Sequence, residues 1–118
     1  MKKFIESLEN ALRGLLLALK DEQNLKIHTV AALLILVLGL IVELTSTEWM
    51  LILLCIGSVF NLELVNTAIE ELCNLIQPNY HKSIGKIKDI SAGAVLASAL
   101  ISAVIGISIF VPHFLRIL

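Results

Sequence analysis

The sequence predicts an all-α membrane protein in which an N-terminal amphipathic surface helix precedes three transmembrane helices. Three observations carry this prediction: an unusually apolar composition, three long apolar segments, and an asymmetric distribution of basic residues. Hydrophobic residues make up 58% of the 118 residues, and the mean hydropathy is +0.92. Soluble domains use about 45–50% apolar residues, and a chain this short could not bury such an excess. We therefore expect a single domain, residues 1–118, in a lipid bilayer.

The N-terminal segment, about residues 4–22, carries apolar residues at helical spacing along one face. Its other face carries Glu6, Glu9, Asn10 and Arg13. A helix with this pattern typically lies along the membrane surface. Acidic residues interrupt the apolar run and no small-residue cleavage site follows it. We therefore expect the segment to be retained and not removed as a signal peptide.

Three apolar segments, about residues 27–44, 49–76 and 90–112, reach the roughly 20 residues that a helix needs to span the hydrocarbon core. Small residues recur along the third segment and permit close packing between helices. The second segment is apolar only as far as Leu62 and then becomes polar. A loop at residues 77–89, opened by a proline, is expected before the third span.

The basic residues lie almost entirely on one side of these spans. Eight of the nine fall before the first span or between the second and third spans. The positive-inside rule makes these parts of the chain cytoplasmic, so the N-terminus is inside and the C-terminus outside. We expect a multi-pass protein of the cytoplasmic (inner) membrane. The eight are Lys2, Lys3, Arg13, Lys20, Lys26, Lys82, Lys86 and Lys88, and the exception is Arg116.

The most informative stretch is ELVNTAIEE, in the polar part of the second segment. Steps of three, four and seven residues place Glu63, Asn66 and Glu70 on one helix face, which we call the Glu63 stripe. Acids at a membrane boundary cost about 2.5–3.5 kcal/mol each and usually mark a functional site. A helix that has simply emerged into water would also explain them. The apolar neighbours Leu64 and Val65 favour a functional stripe, because a solvated helix need not confine its polar residues to one face.

A further acid, Glu22, stands just before the first span. Two carboxylates from different helices make a hard oxygen site that suits Mg²⁺ together with phosphate oxygens. Taken alone, Glu22 is better explained as an ordinary interfacial acid. The loop at 77–89 supplies lysines that could neutralise phosphates, although the positive-inside rule alone also explains them. The sequence contains no P-loop, no GxGxxG and no protein-kinase catalytic-loop motif, so the soluble nucleotide-binding types are excluded.

Taken together, these elements resemble the prokaryotic integral-membrane diacylglycerol kinase and undecaprenol kinase family. The pattern E-x-x-N-[ST]-A-I-E, followed about eighteen residues later by K-D-x-x-A-[GA]-A-V, is highly specific. The residues of KDEQNLKIH and ELVNTAIE are closer to those of the undecaprenol kinase branch than to those of the diacylglycerol kinase branch. Asn74 departs from the pattern, because the diacylglycerol-type enzymes tend to have an acid there. The matching motifs are KDEQNLKIH at 20–28, ELVNTAIE at 63–70, Tyr80-His81, and KDISAGAVL at 88–96.

The resemblance implies a lipid kinase that uses ATP and Mg²⁺ on the cytoplasmic side and works as a homotrimer, with sites built between subunits. The surface helix and the Glu63 stripe of one site would then come from different chains. Glu63 looks like the catalytic base and, with Asn66, contacts the lipid substrate. Glu22 and Glu70 look like the carboxylates that hold Mg-ATP. The remaining residues expected to contact the nucleotide are Asn79, Tyr80, His81, Lys88 and Asp89.

Undecaprenol is the favoured substrate, and diacylglycerol, which would yield phosphatidic acid, is the alternative. No feature of the sequence separates the two lipids on physical grounds, and nothing in it implies a nucleic-acid partner. A non-enzymatic oligomeric transporter, using the acidic stripe for protons or cations, is the remaining alternative. It would place acids near mid-span, whereas Glu63 and Glu70 fall toward the polar end of their segment, and it does not explain the KxKD motif.

Overall fold

The computed structural model describes all 118 residues and contains four α-helices with no strand. Helix α1 spans Lys2–Asp21, α2 spans Gln23–Val42, α3 spans Ser46–Ile76 and α4 spans Lys82–Ile117. The last three are long and apolar enough to cross a membrane. The predicted all-α architecture with three possible spans is therefore confirmed.

Helix α1 lies at one end of the bundle, where it contacts α2 and α3. A single residue, Glu22, separates α1 from α2, and its extended backbone (φ −99°, ψ 116°) lets the chain change direction. No residue of α1 is buried, and large apolar side chains such as Phe4, Leu12 and Leu16 are exposed. An apolar face without a protein partner is what a surface helix presents to lipid. The membrane-surface position of α1 stays a prediction.

Helix α3 is the centre of the bundle, because α4 packs along it and α2 packs against it, while α2 and α4 hardly touch each other. The main apolar cluster lies at the end opposite α1, which we call the turn end because α2 and α3 join there. This cluster is small because most apolar side chains of the spans face outward, as expected for helices surrounded by lipid. Its buried members are Val42, Leu44, Ile52, Ile109 and Phe110.

Local interactions define the turn between α2 and α3. Glu43 adopts a left-handed conformation (φ 59°) that ends α2 two residues before the predicted end of the span. Thr45 then caps α3 through a capping box: its Oγ1 accepts from the backbone N–H of Glu48, and its own N–H donates to Glu48 Oε1. Gly39 leaves room for the Trp49 ring, since a Cβ there would lie 2.7 Å from Trp49 Cη2.

The predicted loop at 77–89 is wrong beyond residue 81, because α4 already begins at Lys82. The backbone N–H of Ser83 donates to His81 Nδ1 at 3.2 Å, so His81 caps the helix start. The polar sequence that follows forms the first turns of a helix outside the apolar segment. Lys88 and Asp89 therefore lie on α4 and not in a loop.

Both α3 and α4 are longer than a membrane is thick. At 1.5 Å per residue they measure about 46 and 54 Å, against a hydrocarbon core of about 30 Å. Glu48 on α3 lies 2.9 Å from His113 on α4, so the two helices are aligned at the turn end and their extra length projects at the α1 end. Glu63 lies about 26 Å along α3 from Ser46. It therefore falls near the far boundary of a hydrocarbon core that starts at the turn end.

Candidate active site

Five acidic side chains lie within electrostatic range of one another at the α1 end of the bundle. The pKa of the Glu22 carboxyl is raised above its ordinary value. Partial burial is the largest cause, and it is followed by the negative charges of Glu70, Glu71, Glu63 and Asp21. Glu22 therefore lies within electrostatic range of Glu70, and their shared metal site stays a prediction. Carboxylates that repel one another are stabilised by a bound cation.

These carboxylates meet within one chain. Glu22 follows directly after α1, and α1 contacts the α3 of its own chain. That the surface-helix side and the Glu63 stripe of one site come from different subunits stays a prediction, and the proximity of Glu22 to the acids of α3 in one chain favours a single-chain origin for Glu22 and Glu70.

Glu63 is buried, with 3% of its surface exposed, and no hydrogen bond holds its carboxylate. One basic group lies within 4.0 Å: His28 Nε2 is 3.7 Å from Glu63 Oε2. A buried carboxylate without a strong partner is costly and so marks a functional position. On sequence grounds His28 is only an interfacial residue. No local pattern connects it to Glu63, because their approach depends on how α2 packs against α3.

Asn66 is buried beside Glu63 and orients Glu70. Its Nδ2 donates a hydrogen bond to Glu70 Oε1 at 3.1 Å. Its Oδ1 and the neighbouring Thr67 Oγ1 are buried and have no hydrogen-bond partner. Buried polar atoms of native proteins are nearly always paired, so these two atoms indicate a place for a polar ligand group.

The basic start of α4 lies next to the stripe. Lys88 Nζ donates a 2.6 Å hydrogen bond to Asn74 Oδ1, which places its ammonium against the α3 side, one helical turn beyond Glu70. Asn74, which departs from the family pattern, is therefore a direct partner of a predicted nucleotide contact.

The other predicted nucleotide contacts face elsewhere. Tyr80 and Asp89 line an open depression of about 800 Å³ together with Lys82 and Lys86. His81 is occupied as the cap of α4, and Asn79 is exposed in the connection before it. Lys88 therefore lies on the stripe side, whereas Tyr80 and Asp89 line this depression.

An apolar groove of about 530 Å³ runs between α2 and α4, with α3 as its floor. Fifteen of its 18 lining residues are hydrophobic, and the helix walls carry small residues such as Ala103 and Gly106. His28 lines it at the α1 end, and Phe110 and Phe114 line it at the turn end. The groove therefore extends along the bundle to the residue that neighbours Glu63.

The donor set fits a magnesium ion that shares its ligands with a nucleotide. The structure contains no group of three or more His, Cys, Asp or Glu side chains placed to hold a metal. A cation between Glu22 and Glu70 would have two protein carboxylates and take its other ligands from phosphate oxygens and water. Mg²⁺ is commonly bound in this way.

Comparisons with known proteins identify the family of the chain. The sequence profile described as "Prokaryotic diacylglycerol kinase" matches residues 9–110, a range that includes every predicted site residue. The chain is 43% identical over 112 residues to undecaprenol kinase of Bacillus subtilis (strain 168), covering 95% of this chain and 91% of that one. It is 28% identical over 113 residues to diacylglycerol kinase of Synechocystis sp., covering 95% of this chain and 65% of that one. The resemblance seen in the motifs is confirmed, and the chain belongs to the prokaryotic diacylglycerol kinase family.

Proposed function

We propose that this protein transfers the γ-phosphoryl group of ATP to the hydroxyl of undecaprenol, with Mg²⁺, to give undecaprenyl phosphate and ADP. The relative named undecaprenol kinase supports this acceptor, because it is 43% identical over nearly the full length of both chains. Diacylglycerol is the second candidate, since the relative that carries its name is more distant, at 28% identity.

The observation that carries the proposal is the apolar groove that leads to Glu63. A hydrocarbon chain of the acceptor lies in the groove, and its hydroxyl reaches the boundary of the bilayer at the end lined by His28. Glu63 is 3.7 Å from His28 at that point. The position suits a reaction in which one substrate comes from lipid and the other from water.

Glu63 acts as the general base. It accepts the proton of the lipid hydroxyl while that oxygen forms a bond to the γ-phosphorus, and the bond from phosphorus to the ADP oxygen breaks. The free oxygen of Asn66, Oδ1, is an acceptor that can hold the hydroxyl in place. Phosphoryl transfer depends mainly on position and on neutralised charge, so few reacting groups are required.

The nucleotide binds on the side of Glu63 that faces the aqueous phase. Glu22 and Glu70 would hold Mg²⁺, with Glu70 oriented by Asn66. The bound ion supplies positive charge to the phosphates. Lys88 adds a positive charge from α4, next to the stripe. The depression lined by Tyr80 and Asp89 receives a more distant part of the nucleotide, with Asn79 and His81 at its border.

The α1 end faces the cytoplasm of the inner membrane, because eight of the nine basic residues lie on that side of the spans. The protein works as a homotrimer, as its family resemblance implies. The open groove and the outward-facing apolar surfaces of the spans support association, because one chain encloses neither substrate.

The proposal is tested with the purified full chain in lipid nanodiscs, labelled ATP, and undecaprenol, diacylglycerol and shorter alcohols as acceptors. We expect label in undecaprenyl phosphate, with a kcat/KM for undecaprenol about tenfold or more above that for diacylglycerol, and no transfer after Mg²⁺ is chelated. Glu48→Gln, an acid substitution at the turn end, is the matched control for Glu22→Gln and Glu70→Gln. A preference for diacylglycerol would support the second candidate, and an absence of transfer to any alcohol would overturn the kinase proposal.

A further inference from the structure

We propose that His28 is a positioning residue for Glu63: its ring holds one carboxylate oxygen so that the other oxygen faces the hydroxyl of the lipid acceptor. This inference rests on the proposed function above, in which Glu63 is the base. It adds a residue for which the sequence offers only an interfacial role.

The position of His28 follows from the start of α2. Leu25, one turn earlier, is completely buried and anchors this end of the helix. The hydroxyl of Thr29 donates to the Leu25 carbonyl at 2.8 Å, inside the same turn. His28 is thereby turned toward α3, where its Nε2 lies 3.7 Å from Glu63 Oε2.

His28 is the one basic residue placed to hold the Glu63 carboxylate. No lysine or arginine nitrogen lies within 4.0 Å of it. Glu22, from the α1–α2 junction, and Glu70 and Glu71, on α3 itself, bring negative charge to the same region. Lys88 on α4 is directed to Asn74 instead. The imidazole of His28 is therefore the one basic group within 4.0 Å of this buried carboxylate.

The separation of 3.7 Å suits an ion pair but exceeds the roughly 2.7–3.2 Å of an N–H···O hydrogen bond. Contacts of catalytic groups are often long without substrate and shorten when the substrate binds. Because His28 faces Oε2, the other oxygen of Glu63 is left to receive the hydroxyl proton.

His28 also lines the groove at the end nearest Glu63. The hydroxyl of a lipid whose chain lies in this groove therefore arrives beside the His28–Glu63 pair. The pair stands where the acceptor must be held, and not at a remote structural contact.

The test compares His28→Gln with His28→Asn, in the full chain with undecaprenol as acceptor. Both substitutions introduce the same amide group, but only the glutamine nitrogen reaches the position of His28 Nε2. We expect His28→Asn to lower kcat about 100-fold, since a misplacement of about 1 Å can cost that much, and His28→Gln to keep a tenth or more. The KM for ATP should stay unchanged in both. Equal activities of the two variants would overturn the proposal.

A double-mutant cycle separates this proposal from the assignment of Glu63. If His28 acts through Glu63, His28→Asn should not reduce the residual rate of Glu63→Gln any further. A full additional loss in that background would overturn the positioning role. Near-normal turnover by Glu63→Gln would instead reject Glu63 as the base. His113→Asn is the matched control, because it removes the other His–Glu pair, at the turn end, and should leave kcat unchanged.

Discussion

Asn66 Nδ2 donates a 3.1 Å hydrogen bond to Glu70 Oε1 across one turn of α3, while the Oδ1 of the same amide has no partner. One side chain thus orients a proposed metal ligand with its donor and keeps its acceptor free on the buried side. The bond joins the two parts of the proposed site, the lipid side at Glu63 and the nucleotide side at Glu70.

Asn66→Ala should raise the Mg²⁺ concentration needed for activity and lower turnover. Removing a group that orients a metal ligand typically costs 10–100-fold in metal affinity or activity, so we expect about that loss. The measurement is initial rate against Mg²⁺ concentration. Asn61→Ala, an exposed amide on the same helix, is the control. An unchanged Mg²⁺ requirement in Asn66→Ala would show that the bond does not serve a metal site.

Lys88→Met should raise the KM for ATP by about 10–100-fold, because a hydrogen bond to a charged group contributes roughly 1.5–3 kcal/mol. Lys88 is directed to the stripe side through Asn74. Lys82→Met, in the depression on the other side of the same helix, provides the comparison. A larger effect at Lys82 than at Lys88 would place the phosphates in that depression.

Chains that carry Glu22→Gln should not complement chains that carry Glu63→Gln in mixed oligomers. The reason is that both acids belong to the carboxylate cluster of a single chain, so each mutant chain has a defective site of its own. The measurement is turnover after the two variants are assembled together, with mixed oligomers verified by two affinity tags. Recovered activity would mean that the two acids of one site come from different chains.

Gly39→Ala should destabilise the turn end without changing the active site. The added Cβ would lie 2.7 Å from Trp49 Cη2 and 2.9 Å from Leu44 Cδ1, and overpacking of this kind typically costs about 1–3 kcal/mol. Thermal unfolding in detergent measures the effect. Gly57→Ala, where a Cβ meets nothing within 4 Å, is the control. Trp49→Phe in the Gly39→Ala background should restore part of the loss, and no rescue would show that the ring is not the obstacle.

The spans and the Glu63 stripe could be predicted from the sequence because both depend on local properties, namely hydropathy over about twenty residues and helical spacing. The polar stretch after residue 81 was harder to interpret. A polar sequence looks the same whether the chain forms a loop or a helix that continues into water. In addition, His81 caps α4, and histidine is not a common capping residue.

The approach of His28 to Glu63 could not be predicted in the same way. It depends on the rotation of α2 against α3, which no spacing within either helix determines. The sequence predicts that Glu22 and Glu70 share a site, but the proximity of Glu22 to the acids of α3 within one chain required the fold, because it depends on how α1 and α2 are arranged against α3.

The most direct test of the account is the turnover and nucleotide binding of Glu63→Gln, measured together on undecaprenol in nanodiscs. Glu63 is buried beside His28, which lines the end of the apolar groove, so loss of its basic oxygen should remove the chemical step and leave the nucleotide side intact. We predict that kcat falls by about 10²–10⁴-fold, the usual contribution of a general base, with ATP affinity nearly unchanged. Near-normal turnover by a folded Glu63→Gln protein would contradict the account.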